Sequence, residues 1–288
     1  LIGGLLGTGI AAAGTGAVLW PSLDMVEQVF FYGLTGAVLG AVITGALAYY
    51  KGDFKPWNLL LGGLIGVTVI IPVAIATGLL KIGGILGILI FIVVSPLLGF
   101  ISAFALSTLV VNVFRNYHPR RFSSLFRNLQ IFSGSFQSIG HGANDAQNAM
   151  GIITAMLLAG GLIAEFSVPL WVILASSLAM SVGTFLGGWR VIDKMANRIT
   201  KIRPYQGFSA SATAGSVLSL MTIFGISVST THATTGAIMG VGATRGYSAV
   251  KWGVVREIVA AWVLTIPAAA IVAGGCYLVA QAVFGGVF

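Results

Sequence analysis

Eight residues near the middle of the chain, HGANDAQN at positions 141–148, combine a histidine, an aspartate, two asparagines and a glutamine within apolar sequence. Asn144 and Asn148 are four residues apart, so they share one face of a helix, with Asp145 beside them. An ionised aspartate at the centre of a bilayer costs roughly 2.5 kcal/mol or more. Polar contacts between helices explain single polar residues well, but not a cluster this dense. The pattern therefore predicts a site for a ligand or an ion.

Two glycines, Gly140 and Gly142, lie at the start of this cluster. Glycine weakens a helix because its backbone has more conformational freedom to lose. We therefore expect the helix to be broken near the cluster.

A second polar stretch, SVSTTHATTG at positions 227–236, is rich in hydroxyl groups, including that of Ser227. Serine and threonine often bond back to their own helix, so the composition alone leaves a structural role open. The apolar arms on either side are short for membrane spans, which favours a re-entrant hairpin with its tip here. Amides and hydroxyls converge at such a tip, and a helix N-terminus attracts an anion. His232 alone is more typical of a core residue than of a ligand.

The composition of the chain is that of a membrane protein. Of its 288 residues, 57% are hydrophobic and only 8% are charged, whereas soluble domains carry about 25% charged residues. Long apolar runs can satisfy their backbone hydrogen bonds in lipid only as helices. Pro96 is expected to kink or interrupt the third of these runs. The predicted spans cover residues 29–50, 59–80, 84–113, 167–188 and 254–284.

The net charge of +8 does not indicate nucleic-acid binding, because the basic residues lie in short loops between apolar runs. Basic loops of this kind face the cytoplasm. This predicts a multi-pass protein of the cell membrane, with loops 115–127 and 189–203 cytoplasmic and the C-terminus outside. The single cysteine, Cys276, excludes an internal disulfide and a cysteine-based metal site.

An internal repeat is visible in the glycine spacing. GGLLGTG at 3–9 matches GAIMGVG at 236–242, and each is followed by an apolar span with a proline, Pro96 or Pro267. A rival match for the first half is LGGLIG at 61–66. The fold class predicted is all-α, a polytopic helical membrane protein with inverted repeats, broken helices and a re-entrant hairpin. Its predicted divisions are 1–114, a partial first repeat with an inserted helix pair; 115–130, a basic cytoplasmic loop; and 131–288, the second repeat.

The chain begins at Leu1, already inside apolar sequence and without an initiator methionine. We therefore expect an N-terminally truncated transporter, with the first repeat's hairpin tip and a second Asn-Asp signature encoded upstream.

The segments GHGANDAQNAMGII, STTHATTGAIMGVGA and SPLLGF resemble the inorganic phosphate transporter (PiT) family over about residues 94–284. The resemblance implies two inverted repeats, each giving one G-A-N-D-x-x-N signature and one hydroxyl-rich tip to a central phosphate site. Only one signature is present here, and the first hydroxyl-rich tip is missing. Asn148 stands where several bacterial relatives have lysine, which favours sodium coupling. The implied phosphate ligands are Asn144, Asp145, Asn148, Ser229, Thr230 and Thr231, and the implied ligands of the coupling cation are Asp145, Asn148 and Thr231.

The predicted function is cation-coupled symport of inorganic phosphate, with no enzymatic activity and no resident cofactor. The expected partners are phosphate, a sodium ion or proton and the lipid bilayer, with a homodimer left open and no nucleic acid. One alternative is a divalent metal carrier that uses His141, Asp145 and His232. Another is a non-transporting membrane subunit. An intramembrane hydrolase with a Ser or Thr nucleophile and His232 as base is disfavoured, because no second catalytic element is visible.

Overall fold

The computed structural model describes residues 2–18, 20–52, 54–81, 84–224, 226 and 228–284. Within these ranges the chain is helical and contains no strand, which confirms the all-α prediction. Short 3-10 turns follow the first helix and precede the last, and a π-helical turn, Asp193–Arg198, follows the sixth. The helices are α1 (Ile2–Ala13), α2 (Leu23–Tyr50), α3 (Pro56–Ala76), α4 (Gly84–Val113), α5 (Pro119–Ala159), α6 (Leu170–Ile192), α7 (Pro204–Ile223), α8 (Thr230–Ala243) and α9 (Trp252–Phe284).

Five of these helices are long and apolar enough to cross a membrane, and they coincide with the five predicted spans. Large apolar side chains such as Phe30, Leu174 and Val263 are exposed along them, as expected for surfaces that face lipid. The α4 helix continues through Pro96, so this proline does not interrupt it. The membrane-length segments are Leu23–Tyr50, Asn58–Ala76, Leu86–Val113, Leu170–Trp189 and Trp252–Val283.

The helix that carries HGANDAQN is continuous, and the predicted break at this motif is wrong. The α5 helix runs for 41 residues without interruption. Gly140 is a point of close packing, because a Cβ there would lie 3.1 Å from the Oγ atom of Ser219 on α7. Glycine in a helix costs about 1 kcal/mol relative to alanine, and the close approach of α7 offsets this cost.

The segment 115–130, predicted to be a loop, is helical from Pro119 onward. Proline suits the first position of a helix, because its φ angle is already helical and its missing N–H would have no partner there. The basic residues Arg120, Arg121 and Arg127 therefore lie on the first turns of α5 rather than in a flexible connection.

The chain forms two compact units. The terminal unit comprises Leu1–Ile90 and Trp252–Phe288, and the central unit comprises Phe91–Lys251. In the terminal unit α2 packs on α3, and a Cβ on Gly36 would lie 2.7 Å from the carbonyl oxygen of Gly66. Small residues of this kind let membrane helices approach closely.

In the central unit α8 packs on α4 through glycines. A Cβ on Gly236 would overlap the carbonyl oxygen of Pro96, and one on Gly240 would overlap that of Phe100. The α5 helix packs on α7, where Gly215 admits the side chain of Phe136. These two close contacts fix α8 and α5, the helices that carry the polar motifs.

GGLLGTG and GAIMGVG each pack closely on a proline-containing helix of their own unit, and their correspondence as repeats stays a prediction. In the central unit Gly240 meets Phe100, four residues after the proline of α4, Pro96. In the terminal unit a Cβ on Gly7 would overlap the carbonyl oxygen of Ala270, three residues after the proline of α9, Pro267. Each glycine-rich helix thus packs on a proline-containing helix at nearly the same register. The division of the chain into repeats remains a prediction.

Replacement of Gly236 by alanine is expected to destabilise the central unit by roughly 2 kcal/mol, because the added methyl group forces α8 away from α4. The matched control is Gly134→Ala on α5, where a Cβ meets no atom within 4 Å. Thermal unfolding of both variants in detergent, monitored by size-exclusion chromatography, measures the difference between their melting temperatures. Equal melting temperatures for the two variants would contradict the close packing of α8 on α4.

Candidate functional site

The hydroxyl-rich stretch lies at the turn between α7 and α8, which confirms the predicted hairpin. The α8 helix begins at Thr230, and Ser229 occupies the position just before it in an extended conformation. The hydroxyl of Ser229 accepts a hydrogen bond from the backbone amide of His232 over 3.4 Å. This caps the helix, as serine commonly does at this position. Ser227, another predicted hydroxyl of the tip, lies outside the described residues.

Asn144 ties α5 to the tip of this hairpin. Its Nδ2 atom donates to the carbonyl oxygen of Val228 and to the Oδ1 atom of Asp145, each over 3.0 Å. Only 5% of Asn144 is exposed. A buried amide with two partners of this kind fixes the position of both, so the Asp145 carboxylate is held against the start of α8.

Asp145 lies at the centre of the cluster. Its Oδ2 atom accepts a hydrogen bond from the hydroxyl of Thr230 over 3.3 Å. The Nε2 atom of His141, one turn earlier on α5, lies 3.3 Å from the same oxygen. About 30% of the Asp145 side chain is exposed, so the carboxylate remains accessible to a small ion.

The structure brings together three of the six predicted phosphate ligands by hydrogen bonds: Asn144, Asp145 and Thr230. Ser229 adjoins them as the cap of α8. Among the described residues, no hydrogen bond joins the side chain of Asn148 or Thr231 to this cluster, and Thr231 is exposed. The roles of Asn148 and Thr231 as ligands of phosphate and of the cation therefore stay predictions.

Two members of the cluster were not predicted in their observed roles. The carbonyl oxygen of Val228 is a backbone atom, and a side-chain pattern gives no signal for it. His141 was considered only as a metal ligand, although its spacing of four from Asp145 places both on one helix face. That spacing was the available signal for the contact between them.

The geometry does not favour the metal carrier or the hydrolase. Within the described ranges, no group of three His, Cys, Asp or Glu side chains is placed to hold a metal ion. The Ser229 hydroxyl accepts from the His232 backbone amide, which is the geometry of a helix cap rather than of a nucleophile paired with an imidazole base.

Comparison with known proteins gives consistent matches. The pattern of the phosphate transporter family (PHO4) matches residues 113–273. A probable low-affinity inorganic phosphate transporter of Rhizobium meliloti (strain 1021) is 40% identical over 282 residues, which cover 96% of this chain and 79% of that protein. A protein of the same description from Bacillus subtilis (strain 168) is 31% identical over 98% of this chain and 84% of its own length.

A solved structure described as the sodium-dependent phosphate transporter has a similar fold. Its TM-score with this chain is 0.58 at 24% sequence identity, and the match covers 97% of this chain and 72% of that one. The fold, the HGANDAQN and STTH motifs and the two bacterial relatives agree with one another. The chain therefore belongs to the phosphate transporter family.

Proposed function

We propose that this protein carries inorganic phosphate across the cell membrane together with a cation, which we take to be sodium. The observation that carries this proposal is the position of the Asp145 carboxylate, 3.3 Å from the Thr230 hydroxyl at the first turn of α8. One site thus joins a negative side chain to a helix N-terminus, whose amides favour an anion.

The tip of the hairpin offers phosphate the donors that it needs. The His232 amide is capped by Ser229, but the amides of Thr230 and Thr231 have no acceptor within the helix, and the hydroxyls of Ser229, Thr230 and Thr231 lie at the same end. Helix N-termini bind phosphate groups in many proteins for this reason. Asn144 supports the site from α5 by holding the carbonyl group of Val228.

The carboxylate of Asp145 opposes an anion bound at this tip. Two like unit charges 4 Å apart repel by about 4 kcal/mol at an effective dielectric constant of 20. A cation bound beside Asp145 cancels this repulsion, so phosphate binding and cation binding favour each other. This reciprocal dependence is the thermodynamic basis of coupled transport.

The chemistry of the cluster supports sodium over a proton. Oxygen atoms of Asp145 and Thr230 lie together, and the Val228 carbonyl group is held beside them. Hard cations without strong geometric demands prefer such oxygen ligands. The solved structure of similar fold is described as sodium-dependent. We further propose that the basic segments 115–127 and 189–203 face the cytoplasm.

The direct test is phosphate uptake by proteoliposomes under an inward gradient of sodium, of protons or of potassium. We expect the sodium gradient to raise the initial rate at least about tenfold over the potassium control, because a sodium ion beside Asp145 cancels the repulsion between Asp145 and phosphate. Uptake driven by a proton gradient in the absence of sodium would show that the coupling ion is a proton and not sodium. Uptake that is indifferent to both gradients would contradict coupling.

A further inference from the structure

The central unit contains a cavity of about 720 Å³ beside the segment that leads into α7. This volume lies within the range of about 300–1,000 Å³ that is typical of small-molecule pockets. The described residues that line it include two basic side chains and no acidic one. Its main polar lining residues are Gln130, Gln137, Lys201, Arg203, Ser211 and Thr234.

The backbone that presents the two basic residues is held in place. Arg245 donates to the hydroxyl of Thr200 over 2.9 Å and also to the carbonyl oxygen of Lys201. The amide of Arg203 donates to the side chain of Gln206, which is fully buried and donates in turn to Val241 on α8. Lys201 and Arg203 therefore project from a fixed segment and not from a mobile loop.

The wall of the cavity continues towards the site. Gln130, Gln137 and Asn144 follow each other at intervals of seven residues on α5, so they lie near one helix face. Seven residues correspond to about 10 Å along a helix axis. On α8, Thr234 lies one turn from Thr230, which contacts Asp145.

One hydrogen bond crosses the lining of the cavity on the side of the Asp145 cluster. The Nε2 atom of Gln137 donates to the hydroxyl of Thr234 over 3.0 Å, and both residues line the cavity. This bond joins α5 to α8 at the inner end of the cavity. Since it is a single contact between neutral groups, whose net contribution to stability is small, it can open without large cost.

The acidic side chain in the same segment, Asp193, does not oppose an anion. Asp193 forms an ion pair with Arg198 over 3.0 Å, and Asn197 also donates to its carboxylate. These hydrogen bonds, first from Asn197 and then from Arg198, hold the pKa of the Asp193 carboxyl below its ordinary value. The carboxylate is therefore ionised at neutral pH and already paired.

We propose that this cavity is an anion vestibule on the cytoplasmic side, through which phosphate passes between the Asp145 site and the cytoplasm. Lys201 and Arg203 attract and hold phosphate there, and the Gln137–Thr234 hydrogen bond closes the inner end. This inference rests on the proposed function, since it gives phosphate a route from the same site. A cleft with charge of one sign concentrates ions of the opposite sign and raises their rate of entry.

The first experiment compares two double variants, each of which removes two positive charges. Lys201→Gln with Arg203→Gln changes the vestibule, and Arg120→Gln with Arg121→Gln changes the exposed start of α5 as a control. Phosphate flux is measured in proteoliposomes with phosphate added at the cytoplasmic face. We expect the KM for phosphate to rise about fivefold for the vestibule pair, with a maximal rate within about twofold of the parent protein. The control pair should leave both values unchanged.

If the parent protein transports phosphate and the two pairs have the same KM, the vestibule is wrong while the proposed function stands. An equal rise in both pairs would indicate a general surface charge effect and would also overturn the inference.

The second experiment does not depend on transport. Ser211→Cys, in a background with Cys276→Ser, places a thiol in the cavity. We expect this thiol to react only from the cytoplasmic side, and faster with an anionic than with a cationic methanethiosulfonate reagent. The Lys201→Gln and Arg203→Gln changes should abolish that preference. A thiol that shows no preference for the anionic reagent, or that reacts from outside, would overturn the vestibule even if the parent protein moved no phosphate.

Discussion

Replacement of Asp145 by asparagine is expected to abolish cation-driven phosphate uptake, with a decrease of roughly a thousandfold. The substitution keeps the volume of the side chain but removes the charge that, in the proposed function, holds the coupling cation. The attraction between a carboxylate and a cation 4 Å away is about 4 kcal/mol at an effective dielectric constant of 20, and each 1.4 kcal/mol corresponds to a factor of ten. The measurement is the initial rate of phosphate uptake under an inward sodium gradient in proteoliposomes.

The variant should still fold, because Asn144 can donate to the amide oxygen of Asn at this position as it does to Oδ1 of Asp145. Its elution profile in detergent should therefore match that of the parent protein. Glu165→Gln, an exposed change in the connection between α5 and α6, is the charge-matched control and should retain full uptake. Uptake by Asp145→Asn at the parent rate would remove Asp145 from the mechanism.

Much of the fold could be predicted from the sequence, since lipid leaves few alternatives to the helix for a long apolar run. The five predicted spans correspond to α2, α3, α4, α6 and α9 for this reason. The hairpin at STTH was also predictable, because the apolar arms on either side of it are short for membrane spans. In these cases the residues that determine the structure belong to the same short segment of sequence that adopts it.

The errors have a different origin. Gly140 weakens a helix locally, but its contact with Ser219 on α7 shows that close packing determines its role. Likewise, Lys201 and Arg203 were interpreted only as signals of membrane topology. Their position in a cavity depends on Arg245, which contacts Lys201 from a distant part of the sequence. It also depends on the hydrogen bond that joins Gln206 to Val241 on α8. Contacts of this kind arise from tertiary packing, and a single sequence does not reveal them.

The same distinction applies to the site. The spacing of Asn144 and Asp145 indicated a shared polar face, and both lie in the cluster. Asn148 shares that face by its spacing. However, Val228 and Thr230 of the hairpin tip contact Asn144 and Asp145, about one turn before Asn148 on α5. The period of a helix determines which residues lie on one side. The position along α5 at which the hairpin tip packs determines which of these residues the tip contacts.

The position of the hairpin tip on α5 depends on Asn144. We expect Asn144→Leu to lower phosphate uptake by about a hundredfold. Leucine has a similar volume but donates no hydrogen bond. The change leaves the carbonyl group of Val228 without its donor and removes a donor from Asp145. An unsatisfied buried carbonyl costs about 1–3 kcal/mol, and a hydrogen bond to a charged group contributes about 1.5–3 kcal/mol. A total of roughly 3 kcal/mol corresponds to about two factors of ten.

The matched control is Gln147→Leu, which replaces another amide of the same motif on the exposed side of α5. It should transport at the parent rate, because Gln147 lies away from the hairpin tip. Asn144→Leu should also raise the sodium concentration required for half-maximal uptake, because Asp145 is no longer held against α8. A loss of stability alone would lower the amount of folded protein but leave that concentration unchanged. Equal sodium dependence in the two variants, measured per folded molecule, would show that Asn144 stabilises the hairpin without positioning Asp145 for the cation.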